Sequence, residues 1–145
     1  SSSAGYGFRV QLKELETKNR AGKAVISLPQ GAGVIRPVAV HSEADLVAVA
    51  TKQGRMLIFP VAEIPVLNRG KGNKLIQIPG KDLSMGTDQV VAVASIPEGG
   101  VLKVLSGKRH VTFKSTDIES YIGTRARRGS LLPRGFQRVD GLQID

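Results

Sequence analysis

The sequence predicts an all-β fold of propeller-like blades about 50 residues long, set in a partial or open array. Three observations carry that reading. Short runs of Val, Ile, Leu and Phe, bounded by Gly, Pro, Asn or charged residues, recur along the 145 residues. An apolar-acidic-apolar block appears three times, as Leu12-Lys13-Glu14-Leu15, Val61-Ala62-Glu63-Ile64 and Ser115-Thr116-Asp117-Ile118. A basic, glycine-bearing turn follows each block: Asn19-Arg20-Ala21-Gly22-Lys23, Asn68-Arg69-Gly70-Lys71-Gly72-Asn73-Lys74 and Arg125-Ala126-Arg127-Arg128-Gly129.

Taken in order, strands are predicted over 6–12, 24–28, 34–40, 46–51, 55–59, 74–78, 90–94, 101–105 and 110–113. Lys52-Gln53-Gly54-Arg55 and Pro97-Glu98-Gly99-Gly100 read as hairpin turns. Gly7, Gly54 and Gly107 each sit where a turn would lead into a strand. Helix is expected to be scarce: 116–119 has capping-box spacing for one turn near Tyr121, and 81–85 is a second short candidate. Phasing on the acidic blocks divides a single domain, 1–145, into repeats of roughly 5–50, 51–105 and 106–145. Three such units are too few for a closed ring, so the chain reads as part of a longer array or as an open one.

Charge is the functional signal. The chain holds 21 Lys and Arg against 12 Asp and Glu, a net charge of +9. An excess of that size points to nucleic acid or another acidic partner. Windows 17–42, 64–81 and 120–139 contain no acidic residue, and each includes one of the basic turns. A mixed, solvating surface would intersperse the signs. Aromatic residues make up only 4% of the chain and there is no Trp, which argues against base stacking on aromatic platforms. The absence of cysteine excludes disulfides and thiolate chemistry. No run reaches 18 apolar residues, and Ser1-Ser2-Ser3-Ala4-Gly5 has no signal-peptide pattern but looks like the ragged start of a fragment.

A glycine beside a cation removes a Cβ that would hold the backbone away from a phosphate. Arginine adds a planar fork for phosphate oxygens, and lysine a mobile point charge. On these grounds the candidate DNA-binding residues are Lys18, Arg20, Lys23, Arg69, Lys71, Lys74, Arg125, Arg127, Arg128, Arg134 and Arg138. The plainer reading of the last five is a flexible basic connection, although Leu131-Leu132-Pro133 and Phe136 suggest a segment returning to the sheet. No catalytic or metal-binding residue is nominated. His41 and His110 stand in unrelated contexts, Glu14, Glu16, Glu63, Asp117 and Glu119 suit turn capping, and Tyr6 and Tyr121 suit packing.

The order GYGF…KNRAGKAVISLP…GRMLIFPVAEIP…RGKGNKLIQIP…RARRGSLLPRGFQRVDGLQID resembles the C-terminal region of the A subunit of bacterial topoisomerase IV, related to that of the gyrase A protein. The resemblance covers essentially the whole chain. It implies a β-pinwheel, whose blades exchange strands with their neighbours, and duplex DNA bent around a basic rim. It implies a non-catalytic module that presents DNA to the catalytic core of the same polypeptide, in a heterotetramer with the B subunit of topoisomerase IV. The module itself would hold no cofactor, ATP and Mg2+ belonging elsewhere in the parent enzyme. The setting implied is the bacterial cytoplasm at the nucleoid, compatible with peripheral membrane association. Asn68-Arg69-Gly70-Lys71-Gly72 lacks the Gln and paired glycines of the gyrase box, which favours topoisomerase IV over gyrase-like wrapping. The alternatives are a protein-interaction propeller scaffold, with the catalytic core or an acidic protein as partner, and the equivalent gyrase domain.

Overall fold

The computed structural model describes residues 1–16, 18, 20, 22 and 24–144. In chain order the strands are β1 (Tyr6–Gly7), β2 (Leu46–Thr51), β3 (Arg55–Pro60), β4 (Asn73–Lys74), β5 (Val90–Ile96), β6 (Leu102–Ser106), β7 (Arg109–Phe113), β8 (Ser130–Leu131) and β9 (Gly141–Ile144). Two short helices, α1 (Gly80–Met85) and α2 (Ser115–Glu119), and 3-10 turns at Leu12–Leu15 and Val61–Glu63 complete the described elements. The fold is all-β, as the sequence predicts. Its sheets run β1-β4, β5-β2-β3-β8 and β7-β6-β9.

The central sheet is built from alternation on both faces. Along β2 and β3, Ala48, Ala50, Met56 and Ile58 join a cluster with Leu102, Val104 and Phe113 of the third sheet. The intervening Val47, Val49, Leu57 and Phe59 join a second cluster with Leu75, Ile76 and Ile78, on the side of the first sheet. Since side chains point alternately to opposite faces, a strand apolar at every position is one covered on both.

Neighbouring sheets exchange strands. β4 ends the second basic turn and pairs with β1, Tyr6 opposite Lys74 and Gly7 opposite Asn73. β8 follows the third basic turn and pairs with β3, Arg55 opposite Leu131 and Met56 opposite Ser130. The surroundings match as well. Leu75 N donates to Gly5 O, and Leu132 N to Gly54 O. Arg9 bridges Val66 in parallel, and Ile58 bridges Ile122 in parallel. The first repeat is thus led by Gly5, at φ +93°, in the role of Gly54 at φ +86°, and not by Gly7. The chain then returns to its own sheet, β5 pairing with β2 and β9 with β6.

Several sequence expectations are corrected. The strand at 6–12 is ordered pairing only at Tyr6–Gly7, with a single bridge at Arg9 before the 3-10 turn. Residues 24–28 and 34–40 form single bridges, at Ile26 and Val34, because each meets a partner segment at one residue only. Pro97-Glu98-Gly99-Gly100 closes no hairpin: β5 pairs with β2 and β6 with β7, so this turn carries the chain from one sheet to the next. The tight hairpin is at Gly107-Lys108, between Ser106 and its partner Arg109. Near 116–119 the helix starts earlier, at Ser115, and Lys114 N donates to Asp117 Oδ2 at 3.1 Å.

Candidate nucleic-acid interface

The second and third basic turns are fixed by backbone bonds to the segment that follows the preceding turn. Gly70, in the second turn, donates its N–H to Val25 O and accepts from Ser27 N. In the third turn Ala126 N donates to Leu75 O, and Arg127 O accepts from Gln77 N. The two dockings are equivalent: each uses one carbonyl and the N–H two residues on, in the strand after a basic turn. The turns therefore stand in sequence, each held by the one before it.

Two of their glycines serve a close crossing of the neighbouring sheet more than the approach of a phosphate. A Cβ on Gly72 would stand 2.1 Å from Gly7 O, and one on Gly129 2.6 Å from Met56 O, both far inside contact distance. Gly22 shares the backbone conformation, φ +82° like Gly72, but nothing lies within 4 Å of where its Cβ would be.

The candidate cations divide by environment. Lys18, Arg20, Arg69, Lys71 and Arg127 are exposed, while Lys23 lies outside the described residues. Lys71 Nζ rests 4.4 Å from the centre of the Tyr6 ring, an attraction that holds its charge near the first sheet without neutralising it. Lys74 is half-buried and donates to Gln77 Oε1 at 3.0 Å. Arg125 is also half-buried and donates from Nη1 to Lys74 O at 2.6 Å, so it ties the third turn to β4. Arg128 has a buried Nε with no hydrogen-bond partner. Arg134 and Arg138 are exposed but stand apart from the turns, on the segment that crosses Gly54 and the β6–β7 hairpin.

Three more cations were missed by the sequence reading, and one of them reaches a basic turn. Arg55 donates from Nη1 to Gly129 O at 3.2 Å, bringing a cation of β3 to the third turn. Arg109 donates to Gly135 O at 2.9 Å and lies 5.3 Å from the centre of the Phe136 ring, with Lys108 beside it at the hairpin tip. The sequence signal was the run Gly107-Lys108-Arg109, a tight turn that places two cations at a strand start. Arg9, whose carbonyl accepts from Leu67 N just before the second turn, pairs with Glu43. Tyr121 donates to Leu131 O, and burial together with nearby Asp117 pushes its hydroxyl above the usual tyrosine range, the opposite of an activated nucleophile.

Comparison with known proteins agrees with this architecture. The family described as DNA gyrase C-terminal domain, beta-propeller, matches residues 1–42 and 45–97. The A subunit of DNA topoisomerase 4 from Pseudomonas aeruginosa is 47% identical over the whole chain, which covers 19% of that relative. The Escherichia coli K12 protein of the same name is 41% identical, again over the whole chain and 19% of the relative. The chain thus spans about a fifth of the length of these curated relatives. Among solved structures, the E. coli ParC C-terminal domain superposes with a TM-score of 0.89 at 41% identity, covering all of this chain and 58% of that one. A gyrase A C-terminal domain shares the fold, with a TM-score of 0.72 at 18% identity over 96% of this chain and 45% of that one. No described helix is long and apolar enough to cross a membrane. Family match, strand exchange and the serial basic turns lead to one conclusion: the chain belongs to the DNA gyrase C-terminal domain family of β-propellers.

Proposed function

We propose that this chain is a non-catalytic module that binds and bends duplex DNA, part of the A subunit of a topoisomerase IV. The observation that carries the reading is the serial docking of the second and third glycine-bearing basic turns, each on the segment after the previous turn. A row of cations fixed by the backbone suits the regular phosphates of a duplex, and needs no base-edge contact. The three repeats form one domain in this reading, and DNA following the row curves with it. The parent enzyme supplies cleavage chemistry, ATP and Mg2+ from its catalytic core and from the B subunit, and it works at the bacterial nucleoid.

Binding of the chain to a fluorescent duplex of about 40 base pairs, followed by anisotropy across a salt series, tests this directly. If about five phosphates are neutralised, log K falls with log salt at a slope near −4.5, with little dependence on sequence. Arg69→Glu with Lys71→Glu is expected to weaken binding at least tenfold at fixed salt while leaving the melting temperature unchanged, because both side chains are exposed. A slope near zero in the unmodified chain would overturn the reading.

A further inference from the structure

The second and third basic turns differ at one pair of matched positions. β4 and β8 fix the correspondence: Tyr6 opposite Lys74 matches Arg55 opposite Leu131, and Gly72 matches Gly129, at φ +82° and +79°. One residue earlier in each turn, Lys71 matches Arg128. At the second turn the two partners satisfy one another, Lys71 Nζ lying 4.4 Å from the centre of the Tyr6 ring. At the third turn the same two positions hold two guanidinium groups. Arg55 is brought to the turn by its Nη1 bond to Gly129 O at 3.2 Å, and Arg128 precedes that glycine in the chain.

The protein does not balance this pair of cations. Both residues are half-buried, and a guanidinium does not lose its proton. The Arg128 Nε is buried without a hydrogen-bond partner. Among the described residues neither arginine is in an ion pair. The stretches that carry them, 46–62 and 120–139, contain no Asp or Glu. A buried donor without an acceptor and two like charges at one turn are both unfavourable, and one anion relieves both. The planar fork of each arginine suits the two free oxygens of a phosphodiester.

We propose that Arg55 and Arg128 form a two-arginine clamp on a single phosphodiester of duplex DNA. The clamp makes the third turn the firm point of the basic row and the second turn a looser contact. The inference rests on the DNA-binding reading above and adds to it Arg55, a residue of β3 that lies outside the turns. Lys71, whose charge the Tyr6 ring already stabilises, gives a point contact to another phosphate. Two arginines on one phosphate act as a coupled pair, whereas Lys71 contributes independently of them.

The test compares Arg55→Gln, Arg128→Gln, the double variant and Lys71→Gln, by anisotropy with a duplex of about 40 base pairs across a salt series. Each arginine variant is expected to bind about tenfold more weakly, the double variant only slightly more weakly than either, and Lys71→Gln about threefold more weakly. In the double variant the slope of log K against log salt becomes shallower by about one, the value for a single phosphate. A converse variant leaves the Arg55 bond intact and so does not depend on the arginine variants folding. Tyr6→Arg with Lys71→Arg builds the pair at the second turn and is expected to tighten binding about threefold. A slope shallower by about two, with losses that multiply, would overturn the clamp, because the arginines would then hold separate phosphates. So would unchanged DNA affinity in the double variant; loss of polyglutamate binding there would assign the pair to a carboxylate-bearing partner. In both cases the unmodified chain still binds DNA and the functional reading stands. A flat salt slope in the unmodified chain removes that reading and the clamp with it.

Discussion

The central and third sheets share a hairpin design and differ in one face. Ala48 opposes Ile58 and Ala50 opposes Met56 in the central hairpin, and all four are 0% exposed. At the same register in the third hairpin, Lys103 opposes Thr112 and Leu105 opposes His110. The opposite faces remain alike: Val47 with Phe59 and Val49 with Leu57 match Leu102 with Phe113 and Val104 with Val111. A stacked array needs polar composition only where stacking stops. The difference shows that the sheet is specified by one face and that the other face records its neighbours.

The strongest way to break this comparison is to exchange the characters of matched positions. Ile58→Lys places an unpaired charge between two sheets and is expected to destabilise by about 4 kcal/mol or more, read as loss of the cooperative thermal transition. A smaller effect separates a glycine crossed by a neighbouring strand from one that is not. Gly72→Ala drives a Cβ into Gly7 O and forces a positive φ, and should cost about 2–3 kcal/mol in denaturant unfolding. Gly22→Ala meets only the φ penalty, about 1 kcal/mol by the same measurement. If the two cost the same, the backbone crossing at Gly72 contributes nothing beyond conformation. The smallest effect belongs to Thr112→Lys, the third-sheet match of Ile58, which should stay within about 0.5 kcal/mol. A large loss there would show that the polar face is covered.

These contrasts also mark what could be read from the sequence. β2 and β3 were legible because six consecutive residues on each side of Gly54 carry their own pattern and turn. The acidic blocks at Leu12–Leu15 and Val61–Ile64 both fall on 3-10 turns. β4 and β8 were not legible as exchanged strands, because two-residue pairings are decided by a neighbour many residues away. The Pro97 turn looked like a hairpin for a related reason: local turn chemistry fixes a reversal but not which sheet the next strand joins. In the basic surface, the arginines were visible as a charge run, yet the run mixed two environments. Arg125 spends a donor on Lys74 O, whereas Arg134 and Arg138 lie along a different crossing. Only coordinates separate a cation that holds the fold from one that faces solvent.

The docking of each basic turn on the preceding strand has a mechanical consequence. A load applied at Arg127 passes through its own carbonyl to Gln77 N, and from Ala126 N to Leu75 O, into a segment buried at Leu75 and Ile76. A load at Gly70 passes likewise into Val25 and Ser27. At the third turn, tension is therefore taken by short backbone joints anchored in the core, and at the second by joints to a more exposed segment. The spacing between docked turns therefore changes only when one of those joints opens.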